Sequence, residues 1–227
     1  METEELMKEE LKLVKGKEKA EPFIIKEEAD GRIRMATLKD APAILEIYEP
    51  YIRNTSITFE YDPVPVEIFQ KRMDSVMQHF PWLVYECNGR IIGYAYCSRF
   101  KERAAFDWDC ECSVYIAETE HRRGIASKLY QVLLDLVQKQ GYYTIYALIT
   151  NSHSSSVAFH TKFGFEKVAV YEKTGYKFDQ WWDLLVMQKR IHSFEDSPQR
   201  PISIHELLLT VSSDSEPDPR FAATNIN

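Results

Sequence analysis

Hydrophobic spacing along the chain changes period several times between residues 30 and 190, and each change marks an element. Arg32 to Leu38 reads as a strand, after which Ile44, Leu45, Ile47 and Tyr48 fall at helical spacing behind Asp40, a helix-capping residue type. Val66 to Phe80 predicts a second helix. Trp82 to Cys87 and Ile91 to Arg99 flank Asn88-Gly89, a dipeptide that favours a tight hairpin turn. Phe106 to Ala117 extends as a long strand, with Phe106, Trp108, Cys110, Cys112 and Val114 on one face and Asp107, Asp109, Glu111 and Ser113 on the other. Ile125, Leu129, Val132, Leu133 and Leu136 then line one side of a helix over 124–140, which Gly141 ends. Tyr143 to Ile149 reads as a buried strand, Ser154 to Lys162 as a helix ended by Gly164, and Phe165 to Tyr171 with Gln180 to Gln188 as a closing pair of strands. The resulting order is β-α-α-β-β-β-α-β-α-β-β, an α/β chain without internal repeats.

Outside this span the pattern fades. Residues 1–29 are dense in Glu and Lys, and residues 193–227 are rich in Ser, Pro and Asp around a short apolar patch, Leu207 to Val211. Both read as weakly ordered extensions of a single domain at residues 30–192. With 227 residues, 44% of them hydrophobic, the chain can bury one substantial core. A net charge of −7 argues against a general nucleic-acid binder, which needs a broadly basic surface. The sequence carries no signal peptide and no run long enough to span a membrane, so a cytoplasmic protein is expected. Cys87, Cys97, Cys110 and Cys112 all fall in expected strands and read as reduced core thiols; Cys110 and Cys112 have no second pair at ligand spacing, so no metal is assigned.

The chemistry concentrates between residues 111 and 140. A basic turn, His121-Arg122-Arg123-Gly124-Ile125-Ala126, lies between a strand and a helix. Main-chain N–H groups entering a helix lack partners of their own, and with the helix dipole they favour a bound anion. Gly124 and Ala126 keep the lining small. The turn therefore reads as a pyrophosphate site, formed by Arg122, Arg123, Gly124, Ile125, Ala126 and Ser127.

That motif resembles the phosphate motif of the GNAT N-acetyltransferases, with His121 standing where the family usually has Gln or Arg. Further matches extend the resemblance over roughly residues 32–190: Tyr51-Ile52, Phe59, Pro81-Trp82-Leu83-Val84, Lys101 to Trp108, Glu111 to Ile116, Phe163-Gly164-Phe165, and Trp181 with Asp183. At these spacings the chain is similar to the phosphinothricin and methionine-sulfone acetyltransferase branch. The resemblance implies an acyl-CoA N-acyltransferase fold, a central mixed and mainly antiparallel sheet flanked by helices. It also implies acetyl-CoA as co-substrate, with the main chain of Val114, Tyr115 and Ile116 along the pantetheine arm. A second cofactor contact falls on His153 by alignment, with Asn151 the alternative.

Attack on a thioester requires a deprotonated amine, so a base must sit nearby. Glu111 lies three residues before Val114 and holds the position of the branch's catalytic glutamate; a merely solvated strand face is the competing reading. A bend or bulge in that strand would open a groove for the thioester. His160 matches the branch's histidine and is the expected proton donor to the departing thiolate, with Tyr130 in reserve. Lys101 and Arg103 resemble the cationic pair that holds the acidic groups of phosphinothricin, and Phe59 an apolar wall. Phe106 replaces a tyrosine of the nearest relatives. The expected substrate is a small primary amine; the alternatives are a protein or peptide amine, or a non-catalytic acyl-CoA-binding regulator. Members of the branch are often dimers, so a homodimer is one expected assembly.

Overall fold

A computed structural model describes residues 22–150, 154–194 and 197–212. Its sheet contains β1 (Ile24–Glu28), β2 (Gly31–Met35), β3 (Trp82–Cys87), β4 (Arg90–Arg99), β5 (Asp109–Ile116), β6 (Thr144–Thr150), β7 (Glu166–Lys177) and β8 (Gln180–Arg190). They run in the order β1-β2-β3-β4-β5-β6-β8-β7. Neighbours are antiparallel except β5 and β6, which pair parallel. The described helices are α1 (Ala41–Asn54), α2 (Val66–Met77), α3 (Ile125–Gln140), α4 (Ser154–Lys162) and α5 (Ile204–Ser212). This is the mixed, mainly antiparallel sheet with flanking helices that the sequence implied. No described helix is long and apolar enough to cross a membrane.

Strand β3 shows why the sheet needs helices on both faces. Its first four residues, Trp82 to Tyr85, are all buried, and alternation sends them in two directions. Trp82 and Val84 pack with Ile44, Phe69 and Met73 beneath α1 and α2. Leu83 and Tyr85 pack with Leu129, Leu133 and Cys97 beneath α3. The Asn88-Gly89 turn forms as expected, with both residues at positive φ.

Several boundaries differ from the sequence reading. The first long strand stops at Met35, because Thr37 opens a 3-10 turn over Leu38–Asp40. Asp40 does not cap α1 with its side chain. Its carboxylate instead accepts from the Thr37 N–H at 2.7 Å and from the buried Arg34 at 2.8 and 2.9 Å. Arg34 also reaches Glu86 at 2.7 Å, so two carboxylates neutralise one buried guanidinium. Strand β5 begins only at Asp109, since Ala104–Phe106 form a 3-10 turn. Phe106 and Trp108 are therefore not strand residues, and the expected two-faced alternation holds only from Cys110 onward.

Within the two segments read as weakly ordered extensions, Ile24–Glu28 and Ile204–Ser212 form elements of the fold, while residues 1–21 and 213–227 lie outside the described residues. Strand β1 pairs with β2, and the Met35 N–H donates to Phe23 O at 2.9 Å. At the other end, α5 packs on α3 and buries Ile204 and Leu207 completely. Ser203 and Glu206 form a reciprocal cap at its start, with Ser203 N–H donating to Glu206 Oε2 at 2.7 Å and Glu206 N–H to Ser203 Oγ at 3.2 Å. Gln140 Nε2 ties the approach down by donating to His79 O at 2.7 Å and Ile202 O at 2.9 Å.

A fully buried leucine in this position should matter. Leu207→Ala is expected to lower unfolding free energy by about 2–5 kcal/mol in chemical denaturation. An unchanged midpoint and slope would show that α5 is not part of the cooperative unit.

Candidate active site

Strands β5 and β6 pair only at Asp109, Cys110 and Glu111, opposite Thr144, Ile145 and Tyr146. Beyond that point β5 continues to Ile116 and β6 to Thr150 without pairing, so the two strands part. The β4–β5 ladder stays regular from Arg99↔Cys110 to Gly93↔Ile116. The groove thus opens where β5 and β6 part, and of the bend or bulge that the sequence reading expected in β5, no bulge is present.

Main-chain direction follows from one bond. Ala117 N–H donates to Ile92 O at 3.0 Å, so Ala117 faces β4, and alternation turns Tyr115 and Ser113 the same way. Val114 and Ile116 turn their N–H and C=O groups into the gap. Tyr115, expected to serve the cofactor with them, spends its main chain on β4. Ile116 O accepts the Tyr51 hydroxyl at 2.7 Å and lies 3.1 Å from His121 Nε2, which fixes the far end of the gap.

The chain then enters α3 through the basic turn. Arg122 and Gly124 are both left-handed, at φ 64° and 78°. No atom lies within 4 Å of where a Gly124 Cβ would stand, so the residue is required by its backbone angle and not by crowding. The first helical bond runs from Lys128 N–H to Gly124 O at 3.1 Å, which leaves the N–H groups of Ile125, Ala126 and Ser127 without helical acceptors. These residues line a cavity of about 420 Å³ that continues along Val114, Ile116, His121 and Arg122 to Ala147 and His160. Arg123 does not line it; its guanidinium pairs with Glu120 and, at 3.3 Å, with Asp30. Lys128 holds the same β1–β2 turn, at 3.0 Å from Asp30 and 3.2 Å from the Tyr85 hydroxyl. Hydrogen bonds from Tyr85 and Lys128 lower the Asp30 carboxyl to about 2. His153 and Asn151 lie outside the described residues.

Glu111 sits where the two strands part, opposite Ser98 on β4 and Tyr146 on β6. Burial pushes its carboxyl up to about 7, with Lys101 as the weaker opposing charge. The side chain is half-buried, which does not fit a fully solvated face. Cys112 and Tyr130 occupy the opposite face, where the Tyr130 hydroxyl meets Cys112 Sγ at 2.9 Å in the core. Tyr130 does not line the cavity and His160 does. His160 Nδ1 lies 2.8 Å from Ser156 O, so that nitrogen carries the proton. Burial lowers the imidazole pKa, leaving a neutral ring whose Nε2 accepts and does not donate.

On the α1–α2 side, the chain between Thr55 and Tyr61 is held by the β7–β8 hairpin. The buried Lys177 ammonium donates to Ile52 O, Thr55 O and Thr58 O at 2.7, 2.8 and 2.8 Å. Thr150 donates to Ser56 O, and the Tyr61 hydroxyl to Tyr176 O. Phe59 lies against Gly175, where a Cβ would come within 2.1 Å of its ring. Lys177 went unread in the sequence: a lysine near a strand end carries no signal of burial. Of the expected cationic pair, Lys101 is within electrostatic reach of Glu111. Arg103 is exposed and makes no ion pair among the described residues. No group of three or more His, Cys, Asp or Glu is placed to hold a metal among them either.

Comparison with known proteins agrees with this geometry. The model of the acetyltransferase (GNAT) domain matches residues 33–186. A phosphinothricin N-acetyltransferase from Streptomyces viridochromogenes is 32% identical over 75% of this chain and 92% of its own length. An L-methionine sulfoximine/L-methionine sulfone acetyltransferase from Pseudomonas aeruginosa is 30% identical over 73% of this chain and 98% of its own. Among solved structures, a phosphinothricin acetyltransferase from Sinorhizobium meliloti in complex with acetyl-CoA superposes with a TM-score of 0.72 at 28% identity, covering 76% of this chain and 95% of that one. A ribosomal-protein-alanine N-acetyltransferase from Brucella melitensis gives 0.64 at 32% identity, covering 70% and 98%. With its parted strands, its left-handed turn into α3 and a family match spanning most of the described sheet, the chain belongs to the GNAT acetyltransferases.

Proposed function

We propose that this N-acetyltransferase moves acetyl from acetyl-CoA to the primary amine of a small amino-acid-like substrate of the phosphinothricin or methionine-sulfone type, with Glu111 as general base. The observation that carries this reading is a half-buried carboxyl, pushed up to about 7, placed where β5 and β6 part. A base at that value is half ionised near neutrality and still strong enough to take an ammonium proton. Pyrophosphate belongs on the Ile125 to Ser127 amides, and the pantetheine arm along Val114 and Ile116. The amine nitrogen attacks the thioester carbon, its proton passes to Glu111, and the C–S bond breaks to release the coenzyme thiolate. Neutral His160, with its proton on Nδ1, serves as an acid toward the departing thiolate only after Nε2 has itself taken a proton. A protein amine is the second reading, favoured by the Brucella relative's name.

A thiol-release assay with acetyl-CoA against phosphinothricin, methionine sulfone, ordinary amino acids and a peptide with N-terminal alanine separates the two. Turnover of the peptide alone would overturn the small-substrate reading. Thermal shifts with acetyl-CoA should exceed those with analogues lacking the pyrophosphate; equal shifts would remove the anion from the α3 start.

For the native enzyme, kcat/KM should rise through about pH 7 as Glu111 ionises. Glu111→Gln should lower kcat by roughly 10²–10⁴-fold while acetyl-CoA affinity holds. A near-native rate, with chemistry shown to limit turnover, would eliminate Glu111 as the base.

The same substitution carries a stability signature. A carboxyl raised in the folded state favours folding only while protonated, so native stability falls as pH rises from the unfolded value of 4.5 through about 7. Glutamine does not titrate. The variant should match the native protein near pH 4 and exceed it above pH 7 by on the order of 2–3 kcal/mol. Parallel stability curves across this range would mean that Glu111 is solvated.

A further inference from the structure

The loop between β4 and β5, which carries Lys101 and Arg103, exposes every residue from Lys101 to Phe106 and so takes its position from its two ends. Its first end is fixed at the site: Phe100 stacks on Tyr146 with ring centroids 3.9 Å apart, and Tyr146 pairs opposite Glu111. Lys101 Nζ lies over the Phe100 ring, 4.9 Å from its centroid. The second end is held by a part of the chain beyond residue 186, where the family match stops. There the Trp108 indole N–H donates to Gln199 O at 2.8 Å, and Asp107, paired with Arg99 at 2.9 Å, has Arg200 3.8 Å away. From this point the segment runs to α5 along a firm support. Pro201 packs beside Gly141, Ile202 N–H donates to Gln140 O at 2.9 Å, and Ile204 N–H donates to His79 O at 3.0 Å. Gln140, 2% exposed, donates back to Ile202 O, and the buried Ile204 and Leu207 close the anchor.

We propose that residues 197–203 are a strap that positions the β4–β5 loop for substrate, with Trp108 as the positioning residue at the loop and Gln140 as the one beneath the strap. The inference rests on the small-amine reading above and on Lys101 and Arg103 as the cations that meet the acceptor's acidic group. An exposed loop of this length loses much conformational freedom when it takes one shape. With both ends fixed, part of that loss is incurred on folding, and the acceptor meets cations already near their places. With the outer end free, only the molecules with the loop in place bind the acceptor, and apparent affinity falls by that fraction. The exposed Arg200–Asp107 pair adds little, so the Trp108 bond carries most of the effect. Acetyl-CoA, held along β5 and the start of α3, does not depend on the loop.

The test uses the full chain with saturating acetyl-CoA, at a temperature where melting curves show every variant folded. Trp108→Phe removes the indole donor and keeps an aromatic ring. KM for phosphinothricin should rise about three- to tenfold, as for one lost hydrogen bond, with kcat and acetyl-CoA affinity near native. Gln140→Met, which acts on the strap and not on the loop, should raise the same KM. Because both changes act through one strap, the double variant should raise KM by less than the product of the two. If Gln140→Met does not fold, Arg200→Glu, an exposed change that repels Asp107, replaces it in the cycle. An unchanged KM in Trp108→Phe, a double variant at the full product, or a parallel loss of acetyl-CoA affinity would overturn the proposal. A native enzyme that acetylates no amino acid would sink the small-amine reading itself. Amide exchange over residues 101–107 then decides the strap on its own: faster exchange in Trp108→Phe than in the native protein supports it, and equal exchange overturns it.

Discussion

The parting of β5 from β6 is the constraint on which the site depends. A continuous parallel ladder would satisfy every main-chain group and close the sheet. By pairing only through Glu111 and Tyr146, the strands leave the Val114 N–H and C=O and the Ile116 N–H facing a cleft. Such groups are costly to leave unpaired in a buried setting, and an extended amide-bearing ligand, as in the proposed function, would offset that cost by completing the ladder. Glu111, half-buried at the parting and without an ion pair among the described residues, has its carboxyl raised by desolvation.

A second clamp holds the opposite wall. Lys177 has no carboxylate partner within salt-bridge distance among the described residues; three carbonyls surround its ammonium, two of them at the C-terminal end of α1. The negative end of the helix dipole favours a cation there. Because those carbonyls span Ile52 to Thr58, the hairpin fixes the segment leading into Phe59 and Glu60, and through Glu60 it reaches Arg72. The phosphate turn has its own anchor, in which Lys128 and Arg123 bind α3 to Asp30. Each wall of the site is thus held by charge brought from a distant part of the chain.

The elements with strong local signals were legible in the sequence. The Asn88-Gly89 hairpin, the periodic face of α3 with glycines at both ends, and the basic turn all follow from residue types whose physics is local. Ser203-x-x-Glu206 before an apolar run was a readable start signal for α5, but the polar composition around it outweighed the motif. Phe106 and Trp108 continued the strand's alternation, yet the 3-10 turn over Ala104–Phe106 removes them from it. The geometry of the candidate site was legible where residues act locally, as at Gly124, and the resemblance pointed to Glu111, which stands where β5 and β6 part. It was not legible where tertiary contacts decide: the burial of Lys177, the proton position on His160, the turn of Arg123 away from the cavity and the exposure of Arg103 all depend on residues far away in the chain.

Residue-resolved amide exchange of β5, with and without acetyl-CoA, measures the central claim directly. The account predicts fast exchange at Val114 and Ile116 in the free protein and strong protection when acetyl-CoA binds, while Tyr115, bonded to β4, stays protected in both states. Protection of Val114 and Ile116 before ligand is added would contradict the parted strands, and their failure to gain protection on binding would contradict the cleft as the acetyl-CoA site.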